Sequence, residues 1–92
     1  MKIIKKAQAG TMESGDVYVT VEPMPGGEPE IELESLVMAQ YGRQILTTIK
    51  DTLEAHGLKG IKISVKDRGA LEYALRSRIE TAIFRASEEG DQ

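Results

Sequence analysis

Gly60-Ile61-Lys62-Ile63-Ser64-Val65-Lys66 alternates without a break, with Ile61, Ile63 and Val65 on one side and Lys62, Ser64 and Lys66 on the other. Successive side chains of an extended segment point to opposite faces, so this stretch is a strand with one apolar and one wet face. A sheet that faces water on one side needs a cover on the other, and the flanking segments supply it. Upstream, Val37, Tyr41, Ile45, Ile49 and Leu53 recur every four residues, and Leu46 widens the stripe. That is the apolar face of an amphipathic helix. Ser35 is its expected N-cap and Gly57 its C′ stop, with Lys50 and His56 toward the negative end of the helix dipole. Downstream, Asp67 is placed to cap a second helix whose stripe is Leu71, Leu75, Ile79, Ala82, Ile83 and Ala86.

Further out, Glu30 to Glu34 alternates Ile31 and Leu33 with three glutamates, a short half-buried strand. Asp16 to Glu22 places Val17, Val19 and Val21 on one face and Tyr18 and Thr20 on the other. Ala7 to Glu13 reads more weakly as a strand, and Ser14-Gly15 between the two marks the turn of an antiparallel hairpin. Pro23-Met24-Pro25-Gly26-Gly27-Glu28-Pro29 cannot hold a regular element and is a loop. The element order is β-β-β-α-β-α. The expected fold is α+β, a two-layer α/β sandwich with a four-stranded mixed sheet and two helices on one face. Glu30, Glu32 and Glu34 facing Lys62 and Lys66 favour the third and fourth strands as neighbours, at about 0.2–1 kcal/mol for each exposed pair. Residues 1–92 make one domain, with residues 1–6 expected as a loose arm and the acidic tail 88–92 as frayed.

Composition excludes several functions. Twelve Lys and Arg against fifteen Asp and Glu give a net charge of −3, which argues against a nucleic-acid footprint and against a polybasic membrane anchor. The absence of cysteine removes disulfides, thiolate metal sites and a catalytic thiol. A single histidine, His56, rules out a multi-histidine metal centre built from this chain. With no long apolar run to serve as a membrane span or signal segment, the expected location is the cytoplasm.

Three places attract a chemical reading. His56 stands just before Gly57, and helix capping accounts for it better than acid–base work, since no partner lies nearby in sequence. Glu72 and Arg76 sit at i,i+4 and are expected to pair, while Arg78 and Arg85, two turns apart, are suited to a solvated face or to an anion or partner. Glu13-Ser14-Gly15-Asp16 reads as a hairpin tip, with Gly15 supplying a positive φ. The same tip also has what covalent attachment needs: an exposed hydroxyl beside a residue without a side chain.

A wider pattern separates these readings. Ala9-Gly10-Thr11-Met12-Glu13-Ser14-Gly15-Asp16-Val17 closely resembles the amino-terminal motif of the citrate lyase acyl carrier protein (gamma subunit) family. A second block is similar too: Asp67-Arg68-Gly69-Ala70-Leu71, then Leu75-Arg76-Ser77-Arg78-Ile79-Glu80 and Arg85-Ala86-Ser87. Tyr41-Gly42 and Thr47-Thr48-Ile49 look similar to the family's first helix, so the likeness runs from about Lys2 to Ser87. The Pro/Gly loop and the glutamate-rich third strand carry little of it.

The resemblance implies a non-catalytic carrier subunit of a lyase complex. Ser14 would bear a 2′-(5″-phosphoribosyl)-3′-dephospho-CoA arm through a phosphodiester, with Gly15 and Asp16 completing the attachment motif. The arm's thiol would carry acetyl, exchanged for citryl on the alpha (acyl transferase) subunit. The beta (citryl lyase) subunit would then release oxaloacetate and restore the acetyl form. A prosthetic-group transferase would attach the arm. Asp16 would position Ser14 or a divalent ion during attachment, and Arg76, Arg78 or Arg85 would engage a catalytic subunit or the arm's phosphates. Carriers of citramalate lyase or malonate decarboxylase use a similar arm and are the alternatives within the class. From another class, a small non-catalytic α/β binding module such as an RNA-binding sheet is disfavoured. Of its four aromatics, Tyr41, Tyr73 and Phe84 fall in helices and leave only Tyr18 for a stacking platform.

Overall fold

The computed structural model describes residues 1–91. Its strands are β1 (Ala7–Gly10), β2 (Val17–Pro23), β3 (Glu30–Ser35) and β4 (Ile61–Asp67), and its helices are α1 (Met38–Ala55) and α2 (Glu72–Ala86). The four strands form one mixed sheet in the order β1-β2-β4-β3. β1 and β2 pair antiparallel, β2 and β4 pair antiparallel, and β3 runs parallel to β4. The crossover through α1 is therefore a β-α-β unit, and the expected two-layer α+β sandwich is the one observed.

Alternation in the sequence becomes burial in the fold. Val17, Val19 and Val21 from β2 and Ile61, Ile63 and Val65 from β4 point into the core, where Ile49 and Leu53 of α1 and Leu75, Ile79 and Ile83 of α2 meet them. On the wet face the expected charge pairing forms: Lys62 Nζ lies 3.1 Å from Glu32 and 3.5 Å from Glu30. The Glu32 hydrogen bond and then the charges of both glutamates raise the Lys62 pKa above its ordinary value.

Several local expectations need correction. β1 stops at Gly10 rather than Glu13, so the hairpin connection is the six-residue stretch 11–16. Ser35 does not cap α1. It stays in β3 opposite Asp67, donates to Asp67 Oδ2 at 2.7 Å and accepts the Val37 N–H at 3.1 Å. Val37, with no side-chain cap, precedes the helix. Asp67 lies too early to cap α2, because a turn through Gly69 intervenes. Its Oδ1 accepts the Ala70 N–H at 3.0 Å, and Leu71 stands at the N-cap. Tyr41 and Leu71 leave their stripes for solvent, because each lies in or before the first turn of its helix, beyond the end of the sheet. Gly57, at φ +65°, ends α1 as expected.

Residues 1–6 are not left loose. Ile3 is buried and bridges Ser87, and the Ile4 N–H donates to Ala86 O at 2.8 Å. In the tail, Glu88–Asp91 form a short 3-10 turn, and the Glu88 N–H donates to Lys2 O. The chain's two ends hold each other through these bonds. The last residue of the expected frayed tail, Gln92, lies outside the described residues.

Candidate functional site

The connection 11–16 is shaped by one glycine and one carboxylate. Gly10 closes β1 at φ +91°, and a Cβ there would collide with the Val17 carbonyl oxygen. Only glycine fits that approach. Beyond it, the Asp16 N–H donates to Glu13 O at 3.0 Å, closing a turn over Glu13-Ser14-Gly15-Asp16. Gly15 has φ +83°, and among the described residues no non-glycine residue has a positive φ. Negative then positive φ at the two central positions is the type II pattern, which places glycine third.

Asp16 locks this turn to the body of the protein. Thr11 Oγ1 donates to Asp16 Oδ2 at 2.7 Å and the Val17 N–H to Oδ1 at 2.7 Å. From the middle of α2, Arg78 Nε and Nη2 donate to Oδ1 at 3.2 Å and to Oδ2 at 3.0 Å. Both oxygens are thus gripped by a bidentate guanidinium fork as well as by two local donors. The Glu13 N–H donates in turn to Thr11 Oγ1 at 3.2 Å. The main chain of the turn also extends the β2–β4 ladder: the Gly15 N–H donates to Arg68 O at 2.8 Å and the Arg68 N–H to Asp16 O at 2.9 Å.

These donors hold the Asp16 carboxyl down to about 2, the Thr11 hydrogen bond most, then the Val17 N–H and Arg78, against a smaller opposing effect of burial. A group whose folded pKa is depressed contributes stability above its unfolded pKa and loses it as pH falls through the folded value. We therefore expect about 1–2 kcal/mol of stability to disappear between pH 4 and pH 2. Urea unfolding at stepped pH checks this: Asp16→Asn is less stable at pH 7 by a similar amount and shows a shallower slope in that window.

Ser14 is the residue this arrangement leaves open. It is exposed at the tip of the turn, and among the described residues nothing hydrogen bonds to its hydroxyl. Glu13, Ser14, Gly15 and Asp16 come together as the sequence pattern implied, and of the two tasks expected of Asp16, positioning Ser14 or a divalent ion, the bonds it makes suit the first. Its oxygens are already used by protein donors, so they are not offered to a divalent ion. Among the described residues no group of three or more His, Cys, Asp or Glu side chains is placed to hold a metal. Arg78 neutralises Asp16, which relieves much of the repulsion an incoming phosphoryl group would meet at the tip.

The remaining candidates fall into structural roles. His56 follows α1, and its Nε2 lies 3.0 Å from Glu80 Oε2 on α2. Glu72 turns to Thr48, whose Oγ1 donates to it at 3.1 Å, and forms no ion pair with Arg76 among the described residues. Arg85 Nη1 donates to Gln8 O at 2.9 Å. The Arg78–Asp16 clamp spans 62 positions, and no local spacing rule reveals a pair so far apart.

Comparison with known proteins shows the family and the fold. A family model described as "ACP: Malonate decarboxylase delta subunit (MdcD)" matches residues 4–86. The chain is 46% identical, over all of its length and 97% of the relative's, to the citrate lyase acyl carrier protein of Halothermothrix orenii. It is 45% identical, over 97% of its length and 92% of the relative's, to citrate lyase acyl carrier protein 2 of Salmonella typhimurium. Among solved structures, a chain of a Pseudomonas malonate decarboxylase hetero-tetramer in complex with malonate superposes with a TM-score of 0.80. It covers 90% of this chain and 84% of its own at 22% identity, a likeness of fold. With its whole length matched at this level of identity, the chain belongs to the citrate lyase acyl carrier protein family, a family of carriers rather than catalysts.

Proposed function

We propose that the chain is the acyl carrier subunit of a cytoplasmic citrate lyase, with a 2′-(5″-phosphoribosyl)-3′-dephospho-CoA arm joined to Ser14 by a phosphodiester. One observation carries the reading: Ser14 offers an exposed hydroxyl with no hydrogen bond among the described residues, at the tip of a turn whose neighbours are tied down. When bound, the arm supplies the thiol that this cysteine-free chain lacks, and so carries acetyl and citryl groups as thioesters. The protein's own residues act as the handle. Gly15 opens space beside the hydroxyl, Asp16 and Arg78 hold the turn in one shape, and the sandwich beneath keeps the tip away from the core. A tether raises the local concentration of its cargo at every site it can reach, which suits transfer between separate alpha and beta subunits. Exposed Leu36 and Leu71 follow β3 and β4 at the same end of the sheet as Ser14, and exposed large apolar side chains at that end suit protein partners. Citrate lyase is preferred to malonate decarboxylase or citramalate lyase because the full-length relatives at 41–46% identity bear the citrate lyase name.

The test is the intact mass of the chain purified from cells that express the whole complex and its transferase, with peptide mapping of any added mass. The expected result is an addition equal to the arm, on the peptide containing Ser14. An unmodified chain, or an addition elsewhere, overturns the reading.

A further inference from the structure

Arg68 is fastened to the Ser14 turn by its main chain and, among the described residues, to nothing by a side-chain hydrogen bond or ion pair. Its carbonyl accepts the Gly15 N–H and its own N–H donates to Asp16 O, so it lies across the ladder from the two residues that follow Ser14. The guanidinium makes no hydrogen bond or ion pair to another described residue, and its Nε is shut off from water without a partner. A buried donor left unpaired is costly and uncommon, and an ion or ligand that binds the same side chain is one physical reason for keeping it. The other arginines that reach this region are committed, Arg78 to Asp16 and Arg85 to Gln8 O. Gly69, next in the chain at φ +90°, has open space where a side chain would stand.

An arginine with unused donors suits a phosphate, whose oxygens match the guanidinium fork. We infer that Arg68 binds the phosphoryl group delivered to Ser14, an inference that rests on the attachment proposed above. In that step the Ser14 Oγ forms a bond to the phosphorus of a phosphoanhydride donor. The bond from that phosphorus to its leaving phosphate breaks, and the hydroxyl proton passes to a base of the transferase. Charge grows on the oxygens around the phosphorus, and Arg68 stabilises it there, where Glu13 alone would repel it.

The test compares the intact chain with Arg68→Met and Arg68→Lys as substrates of the transferase, following mass gain over time, and measures the melting temperature of each. The expected result is a fall in kcat of about tenfold or more for Arg68→Met, with KM for the carrier within about twofold. Arg68→Lys recovers part of the loss. The melting temperature of Arg68→Met is unchanged or raised, because an unpaired buried donor has been removed. An unchanged kcat overturns the inference, whether or not KM rises, since a rise in KM alone marks a docking residue. An equal fall in both variants, or a fall accompanied by a lower melting temperature, also overturns it, because it marks a residue that only holds the turn. If the unaltered chain gains no mass, the attachment itself is wrong, and that result is seen before any variant is compared.

Discussion

Gly10→Ala lowers the melting temperature by about 15–25 °C, whereas Gly15→Ala lowers it by about 5 °C. Both glycines have a positive φ, +91° and +83°, so conformational strain is common to the two substitutions. Their surroundings differ. A Cβ on Gly15 meets nothing within 4 Å, while one on Gly10 runs into the Val17 carbonyl and its carbon, with the Arg78 side chain at 3.4 Å beyond. Val17 is fully buried at the start of β2, so its carbonyl cannot move without displacing the central ladder. Strain alone costs about 1 kcal/mol, and a backbone collision in a packed sheet raises the total to about 3 kcal/mol or more. That is a large share of the 5–15 kcal/mol of stability typical of a small domain. Melting curves of the two variants, recorded in parallel by circular dichroism, check the difference. Equal shifts would mean that β1 does not end against β2 in the way described.

What the sequence revealed and what it hid follow from range. Alternation over Gly60–Lys66 and Asp16–Glu22 is a local signal that maps directly onto burial, and the four-residue stripe of α1 does so at Ile49 and Leu53 but not at Tyr41. Strand neighbourhood was legible where charge gave it away, in Glu30 and Glu32 against Lys62. Caps were less legible. Ser35 and Asp67 are both good capping residues, yet they sit opposite each other in the parallel ladder and bond to each other instead. The hold on Ile3 was hidden because its partner, Ser87, lies at the far end of the chain. At the site, Ser14 and Gly15 were visible as a turn. The fork of Arg78 on Asp16 and the ladder position of Arg68 depend on tertiary contacts; the sequence pointed Arg78 outward to a partner or to phosphates and gave no sign that it grips Asp16.

Ser14→Ala abolishes attachment of the arm and moves the melting temperature by less than about 2 °C. The second half follows from what the hydroxyl touches: it is exposed and has no hydrogen bond among the described residues, so its loss costs no more than about 0.5 kcal/mol. Alanine also fits the negative φ of that position in the turn. The first half follows from what else the loop offers. Thr11 is the one other hydroxyl between β1 and β2, and it is occupied, donating to Asp16 at 2.7 Å and accepting the Glu13 N–H at 3.2 Å. Freeing it for a phosphoryl group would dismantle the lock that shapes the turn, so Thr11 does not stand in for Ser14. The variant is expressed with the transferase, weighed intact and melted beside the unaltered chain. Mass gain retained on the loop peptide would show that the turn holds a second acceptor, and a lost fold would show that Ser14 belongs to the framework rather than to its tip.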